Sequence, residues 1–249
     1  MRVDLLSKLV VIIMLCTGSP FVHSAPDVPL EFSFCYENKE FYPHFLGNST
    51  EIPEDKPGAM VEVLQRLDYL VPEVEFSYTR KPWARCLSLL ESGNVSAVIG
   101  SFSEERSKYA VYPSKGGQLD KSKAIDNLST CLVVLQNSQL TKKQVTTVAV
   151  PYGYIVSGQL KKAGFEVYET DSLSLAHQLV VSKRVSASVI DCNNSLENEK
   201  LTILPKPIRE HQGYLMMSKK FYRHSPEMAK HLWNTLSELN RKDIYNKYQ

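Results

Sequence analysis

The chain has 249 residues, of which 43% are hydrophobic and 22% charged, and a formal net charge of +2 at pH 7. A balance this close to neutral, with no block of like-signed residues, argues against nucleic acid or an anionic membrane surface as the main partner. The length suffices for one large domain or two smaller lobes.

The chain opens outside the fold pattern. Arg2, Asp4 and Lys8 precede an unbroken apolar run from Leu9 to Cys16, and Gly18, Pro20 and the exit Val22-His23-Ser24-Ala25 follow. This predicts a cleaved secretory signal peptide over residues 1–25, cut after Ser24, with Ala25 as the alternative, and hence export to the periplasm. The run is too short for a membrane span, and no later stretch reaches the roughly 18 apolar residues that a span needs. A lipid anchor on Cys16 would want a small residue before it, where Leu15 stands. Loss of Arg2, Lys8 and Asp4 takes the formal charge from +2 to +1.

From Glu31 onward short apolar strands alternate with amphipathic helices. Glu31 to Glu37 is an aromatic-rich strand. Met60, Val63, Leu64 and Leu67 recur at helical spacing after Pro57-Gly58. Val74 to Arg80 reads as a strand, and a helix opens near Pro82 and closes on Gly93. Val95 to Phe102 is the next strand, and this β-α-β-α-β order predicts a parallel sheet with helices on its faces. Pro113 to Asn127 is polar, Gly-containing and without period, so it reads as a crossing. The alternation then resumes: strands at Cys131–Gln136 and Thr147–Pro151, a helix ending at Gly164, and a strand at Glu166–Asp171. A helix capped by Asp171 or Ser172 follows, then a strand from Val185 to Asp191. A second Pro-rich crossing falls near 204–213, and Tyr214 to Ser218 is a strand with Met216 and Met217 in its core. One long helix, capped by Ser225, closes the chain with Met228, Leu232, Thr235, Leu236 and Leu239 as its apolar stripe.

The chain thus contains two similar α/β units joined by two crossings. In open α/β sheets, ligands sit beyond the carboxyl ends of the strands. The strand Val95-Ser-Ala-Val-Ile ends in a loop carrying Ser101, Ser103 and Arg106. The matching Val185-Ser-Ala-Ser-Val-Ile ends in Asp191. A guanidinium can hold a carboxylate through two parallel hydrogen bonds, and Asp191 can accept from an ammonium. The alternative for Arg106 is a solvated pair with Glu104 or Glu105, and for Asp191 a cap on the following turn. Trp83, at a strand-to-helix junction, is a candidate cleft wall or core residue, with Arg85 a surface neighbour. Tyr36, Tyr42, Tyr152 and Tyr154 cluster at expected strand ends and would give the cleft aromatic walls. His44 and His211 lack a partner at catalytic spacing. No HExxH, GxSxG or phosphate-loop motif occurs, and no cofactor or metal is expected. Once Cys16 leaves with the signal segment, Cys35, Cys86, Cys131 and Cys192 remain. In an oxidising compartment they pair in one of three connectivities or stay as buried thiols, and none forms a CxxC motif.

The stretches Glu37-Asn-Lys-Glu-Phe-Tyr-Pro-His-Phe45, Lys81 to Pro113, Val148 to Tyr154 and Lys183 to Asp191, with the closing helix, resemble family 3 periplasmic solute-binding proteins, the amino-acid-binding components of ABC importers. The resemblance covers nearly all of the chain after the signal segment. It implies a two-lobed type II periplasmic-binding-protein fold, in which each lobe is a mixed, mostly parallel sheet flanked by helices, with two hinge crossings. Lobe 1 would hold 26–115 and 213–249, and lobe 2 would hold 116–212. It implies that Ser101 and Arg106 hold a ligand carboxylate, that Asp191 holds its amino group and that Phe41 covers it; Glu37, Trp83 and Tyr154, from their own places near strand ends, are the further cleft candidates. The chain departs from the family at Asn38, where Asp is frequent, and at Tyr154 and Ile155, where Gly153 would be followed by Ser or Thr. The same resemblance implies a Cys35–Cys86 disulfide, with Cys131–Cys192 inside lobe 2. The expected partners are a small polar solute and a membrane permease, and the expected state is a monomer. A sensor domain for a membrane receptor, and a lyase using Glu37, are the rival readings.

Overall fold

Along Leu30–Glu37 (β1), Phe32, Phe34 and Tyr36 face one way and Cys35 and Glu37 the other, and all five are buried. A strand covered on both faces belongs inside a sheet, between other elements. A computed structural model describes residues 29–138, 140–141, 144–196 and 198–248. The expected signal peptide, 1–25, lies outside the described residues. Among the described residues no helix is long and apolar enough to cross a membrane.

After β1 come α1 (Ala59–Leu70), β2 (Val74–Lys81), α2 (Trp83–Ser92), β3 (Ala97–Ser101), α3 (Glu104–Ser107) and β4 (Ala110–Val111). A small hairpin of β5 (Ser114–Lys115) and β6 (Gln118–Leu119) leads to β7 (Asp126–Leu135). Then follow β8 (Thr147–Pro151), α4 (Ile155–Lys162), β9 (Glu166–Thr170), α5 (Leu173–Val181), β10 (Ala187–Asp191) and β11 (Leu201–Ile203). The chain closes with β12 (Arg209–Ser218), α6 (Lys219–His224), α7 (Pro226–Glu238) and α8 (Lys242–Tyr245).

One sheet runs in the order β2-β1-β3-β12-β7-β10-β8-β9, with β11 beside β7 and β4 beside β12. The outer pairs β1–β2, β1–β3, β8–β10 and β8–β9 are parallel, as the βαβ pattern requires. The long strands β7 and β12 pair antiparallel with each other and with their neighbours, and they carry the chain from one half of the sheet to the other and back. The crossings expected near 114–127 and 204–213 are therefore regular structure over much of their length. The hairpin occupies 114–119, β7 starts at Asp126 and β12 starts at Arg209. Their apolar alternation is weak because one face lines a cavity and the other meets solvent, where Asn127 and Glu210 are exposed.

The first half is held by α1 and α7. Met60, Val63, Leu64 and Leu67 of α1 are at most 1% exposed, and each such burial contributes about 1.5–3 kcal/mol. Gly58 enters α1 at φ 118°, and a Cβ there would stand 2.3 Å from the His44 carbonyl oxygen, so the close passage of these two backbones depends on glycine. The closing helix is not continuous. It stops at Glu238, and Asn240 starts α8 by accepting from the Lys242 N–H at 3.2 Å and donating to Asp243 at 3.1 Å. Its buried face holds Ala229, Leu232, Trp233 and Leu236, while Thr235 is only partly covered. Ser225 stands at the start of α7, but its side chain makes no capping bond. Ser172 does cap α5, accepting from the Leu175 N–H at 3.1 Å. Met216 and Met217 are fully buried.

The second half packs valines of β7, β8 and β10 against α4 and α5. Cys35 and Cys86 are joined at 1.97 Å, linking β1 to α2, and Cys131 and Cys192 at 2.15 Å, linking β7 to the turn after β10. Each bond lies within one half.

Candidate functional site

Strand register builds the floor of the site. Asp191 of β10 stands opposite Thr130 of β7, and Thr130 opposite Arg209 of β12. Leu128 stands opposite His211, and Asp126 opposite Gly213, which in turn faces Ser101 of β3. Directly opposed residues in antiparallel pairs project to the same face, and residues two apart along a strand share it. A single surface thus carries Asp191, Thr130 and Arg209 in one row and Asp126, Gly213 and Ser101 in another. All of them line one cavity of about 130 Å³ between the two halves.

The walls come from the loops at the strand ends. Glu37, Phe41, Ser101, Trp83, Arg106, Tyr154 and Asp191, the seven residues singled out from sequence, all line this cavity. Ser103 does not. It accepts from the Arg106 N–H at 3.1 Å and so starts α3. Of the four tyrosines only Tyr154 faces the cavity. Tyr36 is 1% exposed in the core, and Tyr42 and Tyr152 are 40% and 47% exposed on the surface. Burial of the Tyr36 ring wins because β1 is covered on both faces.

Arg106 is 6% exposed. Its guanidinium donates to the Ser101 carbonyl at 3.1 Å and, across the halves, to the Gly153 carbonyl at 2.7 Å, and it lies 5.4 Å from the Trp83 ring centre. Trp83 Nε1 donates to the same Gly153 oxygen at 3.3 Å. Gly153 has φ 78°, and a Cβ there would come within 3.1 Å of the Trp83 ring, so a side chain at this position would crowd the junction. Arg106 and Asp191 share the cavity, but they form no ion pair within 4.0 Å. Asp191 accepts from the Ser129 N–H at 3.1 Å and the Asn193 N–H at 2.9 Å, which fixes its carboxylate and also caps the turn that follows.

Glu37 is buried at the other end and accepts from the Tyr154 hydroxyl at 3.2 Å, a further bond between the halves. Burial pushes its carboxyl up to about 7, with the Tyr154 hydroxyl and the Arg80 charge pulling the other way. Arg80, 1% exposed, donates to the carbonyls of Glu37, Gly47 and Glu51 and lies 5.1 Å from the Tyr36 ring. It thereby holds the segment that presents Phe41 and His44. Phe41 stacks on His44 with ring centres 4.9 Å apart. His44 Nδ1 lies 2.9 Å from the Tyr245 hydroxyl and 3.2 Å from Asp126. Burial drives His44 down to about 4 and Asp126 up to about 6, so near neutral pH the ring is uncharged.

Asp126, Thr130 and Arg209 were not singled out from sequence, and His44 and His211 were weighed only as acid or base. The period-2 placement of Asp126, Leu128, Thr130 and of Arg209, His211, Gly213 is the signal that marks them, and it becomes readable once both segments are known to be strands.

A cavity between two α/β halves, floored by the two strands that cross between them, defines the periplasmic-binding-protein fold. The chain resembles amino-acid-binding proteins of ABC transporters in structure. A mutant of ArgBP from T. maritima superposes with TM-score 0.67 at 18% identity, covering 88% of this chain and 93% of that one. An ancestral arginine-binding protein bound to glutamine gives 0.68 at 19%, covering 89% and 98%. A histidine kinase sensor domain with similarity to periplasmic binding proteins gives 0.70 at 14%, covering 89% and 97%. No protein-family model matches the sequence, and no curated protein matches it.

Proposed function

We propose that this protein is a family 3 type solute-binding protein, exported to the periplasm, that captures a small polar solute between its two lobes for an ABC importer. The observation that carries the reading is the cavity itself. Residues distant in sequence, from Glu37 and Arg106 to Asp191 and Arg209, converge on one hollow from both halves and from both crossing strands. A solute that touches both halves favours the closed arrangement by its extra contacts there, which is how binding becomes a signal to a permease. Arg106 and Ser101 would meet an acidic group, Asp191 an ammonium, and Phe41, Trp83 and Tyr154 would enclose the body of the solute. Glu37 receives no substrate-turnover role, since its partner Tyr154 reads as a latch between lobes.

We place the lobe boundary at the crossing strands. Sequence expectation assigned 116–212 to lobe 2, but Leu119, Ala124 and Ile125 pack into the cores of the first half, which supports starting lobe 2 at Asp126. The likeness to a histidine kinase sensor domain favours one second reading, in which the same capture reports to a membrane receptor.

A thermal-shift screen over amino acids, short peptides, polyamines and organic acids tests the capture function. A true ligand at about 100 times its Kd adds about 2.7 kcal/mol of stability. Calorimetry with that ligand should show Arg106→Ala and Asp191→Asn each losing most of the affinity while staying folded. Affinity equal to wild type in both variants would reject the assigned roles, and a screen in which no solute stabilises the protein would reject capture.

A further inference from the structure

Within the cavity the charges are not evenly compensated. Each acid is already engaged: Glu37 by Tyr154, Asp126 by Tyr245, and Asp191 by two backbone N–H groups. The cations are not matched in the same way. Arg106 spends donors on two carbonyl oxygens, neither of them charged. Among the described residues no carboxylate lies within 4.0 Å of the Arg209 guanidinium, although that group is half-buried. Two residues along β12, on the same face, His211 has its Nδ1 buried without a hydrogen-bond partner among the described residues. Buried polar groups are almost always paired, so an unpaired imidazole nitrogen beside an unmatched guanidinium marks a place where a partner is expected.

The position is also distinctive. Arg209 and His211 line the main cavity and, together with Ser101, Leu128 and Ser129, also line an adjoining hollow that reaches Lys121 and Gln212. They stand at the neck between the two. Arg209 is separated from Asp191 by Thr130 alone, so the two side chains start two strand spacings apart, about 9.5 Å. Burial, and after it the Arg209 and Arg106 charges, drives His211 down to about 4, so the ring waits as a neutral donor beside two cations.

We propose that Arg209 and His211 form a second anion subsite, distinct from the Arg106 position, and that the solute is an acid bearing a carboxylate at this end. The inference rests on the capture function and names the class of what is captured: dicarboxylates and amino acids with an acidic side chain, rather than neutral or cationic ones. A guanidinium and an imidazole N–H at the neck would hold the far carboxylate, leaving Asp191 and Arg106 for the rest of the molecule. Charge-assisted bonds are roughly twice as strong as neutral ones, which is why the acid and its amide should separate clearly.

The experiment uses matched acid and amide pairs: L-glutamate with L-glutamine, glutarate with glutaramate, and succinate with succinamate. Calorimetric titration of the full secreted chain should give at least one pair in which the acid binds tenfold or more tightly than its amide. In Arg209→Gln that advantage should fall below about twofold, Arg209→Lys should keep part of it, and His211→Gln should reduce it. The melting temperature of each variant without solute guards against misfolding, and Arg209→Lys is the informative variant should Arg209→Gln fail to fold. Amides that bind as well as the acids, or an acid preference that survives in Arg209→Gln, overturn the subsite. So does binding confined to arginine, ornithine or polyamines, an outcome that leaves capture intact. Absence of binding by any solute instead overturns capture and the subsite together.

Discussion

Replacing Glu37 by Gln removes one buried ionisable group and keeps an acceptor for Tyr154. In the folded protein burial holds this carboxyl at about 7, against 4.5 for a free one. Between these values the folded state binds more protons than the unfolded state, so stability falls as pH rises from 4.5 to 7. Each pH step of displacement corresponds to 1.36 kcal/mol, so a fully ionised Glu37 costs folding about 3 kcal/mol. The other buried groups shape the wild-type profile as well. Asp126, raised to about 6, acts in the same direction. His44 and His211, driven to about 4, act the opposite way, because their folded states bind fewer protons between about 4 and 6.5. Subtracting wild type from Glu37→Gln cancels these shared contributions. Urea unfolding at pH 5, 6, 7 and 8 should give a stability difference that grows in favour of the variant by about 2.5 kcal/mol between pH 5 and pH 8, the rest of the cost being already present at pH 5. A difference that stays flat across the series, or that shrinks with pH, refutes the reasoning that burial of a carboxylate dominates this end of the cavity.

Two further outcomes follow from packing. Gly58→Ala should lower stability by about 3 kcal/mol, since it combines a φ reserved for glycine with a Cβ driven onto the His44 backbone, and thermal unfolding reads it directly. Cys35→Ser with Cys86→Ser removes a crosslink spanning 51 residues of separation and should cost about 4 kcal/mol, measured by urea unfolding of the oxidised proteins.

The residues show plainly why part of the molecule was legible in advance. Strands such as Ala97–Ser101 and Ala187–Asp191 are nearly continuous apolar runs ending in a polar residue, so both the fold and the placing of Ser101 and Asp191 follow from the pattern. The helix from Trp83 to Ser92 likewise announces its end at Gly93, which adopts φ 70°. The floor of the site was hidden because its logic is inverted. In β7 and β12 the inward face carries Asp126, Thr130, Arg209 and His211, so hydrophobic alternation, the usual mark of a strand, is absent where it matters. The role of Arg106 was only half visible. Its arrival in the cavity follows from the loop after β3, but its bond to the Gly153 carbonyl depends on how the halves meet. The break at Asn240 escaped for a related reason: a local amide bond, rather than Pro or Gly, interrupts the closing helix.

The two disulfides bear on how such a molecule can deform. Each fastens elements of the same half, and the second is anchored at Cys131, one position beyond Thr130. Oxidation therefore stiffens two separate shells and leaves between them an uncrosslinked ribbon, 126–130 on one strand and 209–213 on the other, as the natural seat of any bending. Whatever torsion that ribbon undergoes would be felt at once by the charged side chains it carries.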